Sequence, residues 1–317
     1  MMRKYISMAL VAIATFAFSA CSNEDIQIDK LLTVTVATKG VVEPFTYERV
    51  KGELSSMAAS LKVRTRLLVY NDMGKKVFST EELFPGYDNV MQLQPNLPNG
   101  TYTMVALTDV VSADKLQYFW TLSGDDELST LRLEPVKDKD SRGNAVVRQG
   151  FKDNLLGVET RKVVINESTQ LVEMKPKPAG AILFVKMQNV KKFADIKQLQ
   201  IRCNQANNYV SFDAQGTMIP STVRDQGTSM NNALLSINPF EDANLVDQVA
   251  YFFVLPCEIR CAFAYAKTND TNAHYAGGSA KFMEQTIRQG EEYELLLDLD
   301  ATTDIAVDPA ISMKKVN

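Results

Sequence analysis

The sequence predicts an all-β protein in which two tandem β-sandwich domains follow an N-terminal export signal. Short runs of alternating apolar and polar residues recur along the chain, and turn-forming residues separate them roughly every ten residues. No strand–helix–strand rhythm accompanies them, which argues against a parallel α/β sheet. The proline-rich break at residues 175–178 divides the strands into two sets, so we predict domains at 31–175 and 176–317.

The first set of predicted strands opens with Leu31–Thr38, where Val34 and Val36 alternate with threonines and form one apolar face. Residues 71–74 (Asn-Asp-Met-Gly) and 97–100 (Leu-Pro-Asn-Gly) are turn signals. A charged loop is expected at Val136–Asn144. The other strands predicted in this set are Val63–Tyr70, Lys76–Thr80, Val90–Leu93, Thr101–Thr108, Leu116–Leu122, Lys162–Ile165 and Gln170–Met174.

The second set of predicted strands begins directly after the proline-rich break. Its members are short apolar or alternating runs, which is typical of sandwich strands with one buried face. They are Ala181–Met187, Leu199–Cys203, Tyr209–Phe212, Leu234–Ile237, Val249–Leu255, Ile259–Ala266 and Glu292–Leu299.

The N-terminal residues have the layout of a bacterial export signal. Arg3 and Lys4 precede an apolar run over residues 5–18, and two small residues lie before Cys21. The run is too short to span a bilayer comfortably. Residues 18–21 (Phe-Ser-Ala-Cys) resemble the lipobox of bacterial lipoproteins, whose cysteine is lipidated and becomes the first residue of the mature chain.

We therefore expect a signal peptide at 1–20, a lipid on Cys21 and a lipidated linker at 21–30. The alternative is an ordinary signal peptide with a cysteine nearby. Glu24 and Asp25 resemble the acidic signal that directs lipoproteins of certain Gram-negative anaerobes to the outer face of the outer membrane. Because several acyl chains together anchor a protein stably, these features predict a surface-exposed, lipid-anchored protein of the cell outer membrane.

Composition excludes several partners and cofactors. The chain of 317 residues has a formal net charge of -4 and no strongly basic patch, so nucleic acid is not an expected partner. Cys257 and Cys261, if on one strand, lie about 13 Å apart and are too distant for a disulfide. Cys203 can pair with either of them. A zinc site lacks a matching ligand spacing, so no metal or other cofactor is predicted.

No catalytic pattern is present, which predicts a non-enzymatic protein. His274 is the only histidine, so a His-Glu-x-x-His metal motif is excluded. Ser279 lies near it, but the surrounding Ala-Gly-Gly-Ser-Ala lacks the Gly-x-Ser-x-Gly elbow of serine hydrolases. A hydrolase that uses His274 is therefore the least favoured function.

Two aromatic residues form a candidate ligand platform. If the strand alternates regularly, Tyr118 and Trp120 share one face, and Phe119 lies on the other. An exposed pair could stack on sugar rings. The favoured interpretation is that Trp120 belongs to the core, because each sandwich strand buries one face.

The order of motifs resembles that of the fimbrillin superfamily, whose members are shaft, anchor and tip subunits of surface fimbriae in Gram-negative anaerobes. The lipobox at Cys21 is followed by the strand Leu31–Thr38 and by residues 67–75, Leu-Leu-Val-Tyr-Asn-Asp-Met-Gly-Lys, similar to a hairpin of the family. Residues 97–106, Leu-Pro-Asn-Gly-Thr-Tyr-Thr-Met-Val-Ala, are similar to another of its strands. The resemblance covers most of the mature chain.

The resemblance implies transthyretin-like sandwiches and assembly by strand addition. Shaft subunits of the family are cut after an arginine beyond the first strand, and another subunit's strand then fills the groove. Here the corresponding residue is Arg49, and the exchanged strand contains Leu31, Leu32, Val34 and Val36. An anchor subunit keeps its lipid and its first strand. The resemblance leaves shaft and anchor open, with a preference for anchor or accessory subunit.

The first functional hypothesis is thus a surface lipoprotein of a fimbria that acts in adhesion and fimbria assembly. Its expected partners are other fimbrial subunits, the outer membrane through the lipid on Cys21, and a host protein or glycan. The alternative is an outer-surface glycan-binding lipoprotein that uses Tyr118 and Trp120.

Overall fold

The computed structural model describes residues 32–48, 59–114, 118–139, 145–147, 155–168, 170–203, 209–220, 233–237, 247–278 and 282–316. In these ranges the chain forms mainly β-strands joined by turns, with two short 3-10 helices at Thr38–Val41 and Leu128–Thr130. The all-β prediction is confirmed.

The strands up to Pro178 follow the predicted order, with Leu32–Ala37 first, although several are longer than predicted. They are β1 (Leu32–Ala37), β2 (Leu61–Tyr70), β3 (Lys76–Phe84), β4 (Val90–Leu93), β5 (Gly100–Ser112), β6 (Trp120–Ser123), β7 (Arg132–Pro135), β8 (Lys137–Lys139), β9 (Ala145–Val147), β10 (Leu156–Ile165), β11 (Gln170–Met174) and β12 (Lys177–Pro178).

The described strands after Gly180 include each of the predicted runs and several short additions. They are β13 (Ala181–Gln188), β14 (Ile196–Cys203), β15 (Val210–Phe212), β16 (Met218–Pro220), β17 (Ala233–Ile237), β18 (Gln248–Val254), β19 (Cys257–Lys267), β20 (His274–Tyr275), β21 (Met283–Ile287), β22 (Glu292–Asp298) and β23 (Ala310–Lys315).

Two sheets enclose the core of the first half. The order of one sheet is β12-β10-β5-β2-β3 and that of the other is β11-β1-β4. Apolar side chains that point inward from both sheets form one cluster, because alternating strand residues face opposite sides. This cluster includes Val34, Val36, Val63, Leu67, Val69, Met91, Met104, Ala106, Val172 and Met174.

The second half repeats this arrangement with a sheet of order β18-β13-β22-β23 and a sheet of order β17-β14-β19-β20, in which β21 also pairs with β19. Its core cluster draws on strands of both sheets, including Leu183, Val185, Leu199, Ile201, Ile259, Phe263, Leu295 and Leu297.

The two halves meet in a further sheet of order β16-β15-β7-β6. Val210 of β15 lies opposite Leu133 of β7, so residues on either side of the predicted boundary at 175/176 share a β-ladder. The proline-rich break itself adds a short strand: β12 pairs with β10 at the edge of the first sheet, where a missing N–H is tolerated. β13 then starts at Ala181.

Candidate functional site

The strand predicted to be exchangeable lies in the middle of its sheet. β1 pairs in parallel with β11, with Leu32 opposite Gln170, and antiparallel with β4, with Val34 opposite Leu93. The side chains of Val34 and Val36 are 0% exposed in the first core cluster. Removing β1 would therefore leave unpaired backbone groups on both neighbours and an apolar groove between them.

The chain leaves β1 through the 3-10 helix Thr38–Val41, which is fixed at both ends. The main-chain N–H of Thr38 donates to the carbonyl of Asn89 at 3.0 Å, and the N–H of Asn89 donates back to Thr38 Oγ1 at 3.1 Å. Gly40 is needed because a Cβ at this position would lie 2.5 Å from the carbonyl oxygen of Pro176. Tight packing thus continues past the strand.

The next residues lie against the second half of the protein. The main-chain N–H of Thr46 donates to Glu292 Oε2 at 3.1 Å, and that of Tyr47 lies 3.0 and 3.1 Å from the two carboxylate oxygens. The Tyr47 hydroxyl donates to Glu294 at 3.2 Å, and its ring meets Phe184 edge-on at 5.9 Å. We call residues Phe45–Tyr47 the exit segment, because they follow the 3-10 helix through which the chain leaves β1.

Strand geometry explains why these groups meet. Glu292 and Glu294 alternate on β22 with core residues, so they point to the outer face of the sheet. Ile182 and Phe184 of β13 lie opposite them in register and point the same way. Phe45 of the exit segment packs in a buried cluster with Ile182, which completes the cover over this face.

Glu292 is a buried carboxylate, with 0% of its surface exposed. Burial raises the pKa of the Glu292 carboxyl above its ordinary value, and the N–H donors of Tyr47 and Thr46 oppose that shift. On the same face, Lys314 of β23 pairs with Glu294 at 3.0 Å. The exit segment therefore supplies hydrogen bonds that an ionised buried carboxylate requires.

This role of Glu292 was not predicted from the sequence. It lies at the start of a correctly predicted strand, where the alternation Glu-Tyr-Glu-Leu points it away from the core and suggests an exposed residue. Its burial is caused by residues far away in the chain. The local alternation of apolar and polar residues carries no information about such contacts.

Three predicted site residues lie outside the described residues: Cys21, Leu31 and Arg49. Lipidation and proteolytic processing thus stay predictions. Of the predicted exchangeable residues, Leu32, Val34 and Val36 lie together on the buried face of β1.

The candidate aromatic platform does not form. Trp120 is 4% exposed and meets Phe253 edge-on at 6.3 Å, whereas Tyr118 is 41% exposed. Regular alternation fails because Tyr118 lies outside the strand, in an isolated bridge to Val111, and the strand starts at Trp120. The two rings therefore do not face solvent together, and Trp120 belongs to a core cluster.

The histidine shows no catalytic arrangement in the described part of the chain. His274 is exposed, and its Nε2 lies 3.6 Å from Asp270. Ser279 lies outside the described residues. Among the residues that the structure covers, no three His, Cys, Asp or Glu side chains are grouped to hold a metal ion.

The structure reduces the possible disulfide partners of Cys203. Cys257 and Cys261 lie on the same strand, β19, as the spacing argument assumed. Cys261 is in a disulfide, and the β14–β19 register places the backbone of Cys203 opposite it. Cys257 is buried on the same face of the strand.

The C-terminal residues also form a strand. β23 pairs antiparallel with β22 at the edge of its sheet, with Leu295 opposite Met313. Its residues are only half-buried or exposed. The sequence predicts no convincing donor strand in the tail Asp304–Asn317, because the apolar run Ile305–Val307 is short and Pro309 follows it.

Comparison with known proteins identifies the fold. No protein-family model and no curated protein matches the chain. The structure matches that of a candidate cell adhesion protein from Bacteroides eggerthii, with 12% identity over 90% of this chain and 95% of that one, and a TM-score of 0.50. The chain therefore shares its fold with that protein.

Two other solved structures with lower TM-scores also match. A candidate adhesin from Bacteroides ovatus has 11% identity over 91% of this chain and 95% of that one, with a TM-score of 0.47. The tip fimbrial protein Mfa3 from Porphyromonas gingivalis has 8% identity over 90% of this chain and 99% of that one, with a TM-score of 0.42.

Among the residues that the structure describes, no helix has the length and apolar character needed to cross a bilayer.

Proposed function

We propose that this chain is a non-enzymatic surface lipoprotein that serves as an anchor, accessory or structural subunit of a fimbria. It is attached to the outer membrane through Cys21 and joins other subunits by β-strand addition, in adhesion and fimbria assembly. The observation that carries the proposal is the position of β1, which fills a groove between β11 and β4 and supplies inward-facing valines.

The contacts beyond β1 favour an anchor or accessory subunit over a shaft subunit. A shaft subunit must give up its first strand after cleavage at Arg49. Here the 3-10 helix and the exit segment add hydrogen bonds and apolar contacts to those of the strand itself. Each of these contacts opposes release of β1.

Limited digestion tests the assembly role. The purified lipid-free protein is treated with an arginine-specific protease, its fragments are sized by mass spectrometry, and oligomers are followed by gel filtration. Cleavage after Arg49 with loss of β1 and polymerisation would establish a shaft subunit. A monomer that keeps β1 is the result expected for an anchor or accessory subunit.

A matched variant separates strand addition from aggregation. The changes are made in a peptide that has the sequence of β1. Val34→Asp places a charge on the inward face of the strand. Thr35→Asp, the control, changes a neighbouring position on the opposite face. If strand addition operates, a synthetic peptide of residues 31–38 should compete with polymerisation, and the same peptide with Asp at position 34 should not. Equal competition by both peptides would contradict the proposal.

A further inference from the structure

We propose that the outer face of the sheet β18-β13-β22-β23 is a peptide-binding site for the exit segment, and that Glu292 is its principal acceptor. The inference deepens the proposed function, because it names what must open before β1 can leave the groove. It also stands on contacts that are independent of any assembly.

The recognition is directed at the backbone. Glu292 accepts from the N–H groups of two consecutive residues, Thr46 and Tyr47, so the main chain is held whatever side chain position 46 carries. Charge-assisted bonds of this kind are about twice as strong as bonds between neutral groups. The carboxylate thus acts as a bidentate clasp on the main chain.

Aromatic and apolar contacts define where the segment lies. The Tyr47 ring meets Phe184 edge-on, and Phe184 in turn lies 5.1 Å from Tyr251 of β18, centroid to centroid. On the other side of Thr46, Phe45 packs in the buried cluster with Ile182. The site therefore takes an aromatic residue at each of two positions separated by one residue.

The burial of Glu292 shows why this face requires its occupant. An ionised carboxylate without donors is costly to bury, and here the exit segment supplies donors to both oxygens. If the segment left, Glu292 would lose these donors. Release of β1 consequently requires two events, opening of its ladders and opening of the clasp.

It follows that cleavage of the chain between residues 49 and 58 does not by itself release β1. The N-terminal fragment stays bound as a separate peptide, held by β4 and β11 at one end and by Glu292 at the other. This is the behaviour required of a terminal subunit that is exposed to proteases yet keeps its groove closed.

Hydrogen exchange on the uncut protein tests the clasp directly. The lipid-free wild type is compared with Glu292→Gln, which keeps the shape and removes the charge, and with Glu284→Gln, an exposed carboxylate paired with Arg260 on a different sheet. We expect the amides of residues 46 and 47 to exchange about tenfold faster in Glu292→Gln and at the wild-type rate in Glu284→Gln. Equal rates in all three proteins would overturn the proposal.

Fragment retention tests the consequence. A site for a sequence-specific protease is inserted after Arg49, the chain is cut, and the fraction of bound N-terminal fragment is followed by gel filtration and mass spectrometry. We expect the wild type and Glu284→Gln to retain the fragment and Glu292→Gln to lose it about tenfold faster. Loss at the same rate in all three proteins would overturn the role of Glu292.

The outcomes also separate this inference from the proposed function. A protein that retains its fragment through Glu292 but joins no fimbrial subunit would support the clasp and contradict the fimbrial role. A protein that polymerises after cutting, with no effect of Glu292→Gln on exchange or retention, would contradict the clasp alone.

Discussion

The carboxylate of Glu292 accepts hydrogen bonds from the main-chain N–H of Tyr47, a residue 245 positions earlier in the chain. This contact joins the exit of the first strand to a strand of the last sheet. Stability, strand retention and pH response should therefore be coupled at this point.

The first prediction concerns the groove filled by β1. Val34→Ala removes buried methyl groups and leaves a cavity, so we expect a loss of about 2 kcal/mol in the free energy of unfolding. Urea denaturation measures it. Thr35→Ala, on the outward face of the same strand, should change stability little. Equal losses would show that the faces of β1 are misassigned.

The second prediction concerns a buried ion cluster on β2 and β5. Asp109, with 0% of its side chain exposed, accepts from Arg64 at 2.9 and 2.6 Å and lies 3.4 Å from Arg66. Asp109→Asn leaves two largely buried arginines without their counter-charge, so we expect a loss of about 3–5 kcal/mol. Asp126→Asn, at a highly exposed side chain, is the control and should be nearly neutral.

The third prediction is a pH dependence with a defined sign. Burial raises the pKa of Glu292 above its ordinary 4.5, so the native state holds this proton more tightly than the unfolded chain. Its contribution to stability is complete below 4.5 and is lost as the pH rises through the raised pKa. The stability of the wild type minus that of Glu292→Gln should therefore increase on acidification through this window, as measured by urea unfolding.

Glu291 provides a control of opposite sign. Hydrogen bonds from Lys315 and Tyr293 lower the pKa of the Glu291 carboxyl, so its contribution is present above 4.5 and is lost as the pH falls through the lowered pKa. The stability of the wild type minus that of Glu291→Gln should decrease on acidification. Parallel pH curves for both variants would contradict these assignments.

The fourth prediction concerns the disulfide of Cys261. We expect a non-reducing digest to contain a peptide that links Cys203 to Cys261, because their strands pair in that register. Reduction should lower the free energy of unfolding by about 2–4 kcal/mol. A peptide that links Cys203 to Cys257 instead would contradict the predicted pairing of Cys203 with Cys261.

The fifth prediction uses the single tryptophan. Because Trp120 is buried against Phe253, its emission should be blue-shifted, and acrylamide should quench it several-fold less than free tryptophan. Neutral oligosaccharides should leave the spectrum unchanged. A buried ring offers no surface on which a sugar can stack. Quenching of Trp120 fluorescence by a sugar would therefore contradict this burial and support the glycan-binding alternative.

Local pattern was sufficient for much of the fold. Alternation placed Val34 and Val36 on the buried face of β1, and the sequence Asn-Asp-Met-Gly predicted the β2–β3 turn. In the structure, Asn71 Oδ1 accepts from the N–H of Lys75, and Gly74 has a φ of 75°. Period and turn chemistry are properties of a few adjacent residues, so the sequence contains them.

Pairing between distant segments could not be predicted in the same way. Nothing near Leu32 specifies that β11 and β4 become its neighbours, because register depends on the whole hydrophobic arrangement. The predicted loop Val136–Asn144 contains part of the hairpin β8–β9, whose charged sequence gives no strand signal. The exposure of Tyr118 and the burial of Glu292 could not be predicted for a related reason, since an irregular start of the strand and a remote segment decide them.

The parallel pairing of β1 with β11 has a consequence for the order of folding. β1 emerges first during synthesis, but Leu32 cannot meet Gln170 until the chain between them exists. Strands β2, β3 and β5 of the other sheet pair over shorter separations and can form sooner, since closing a long loop costs more entropy. The first of the described strands to be made is thus among the last in its half to be paired on both sides.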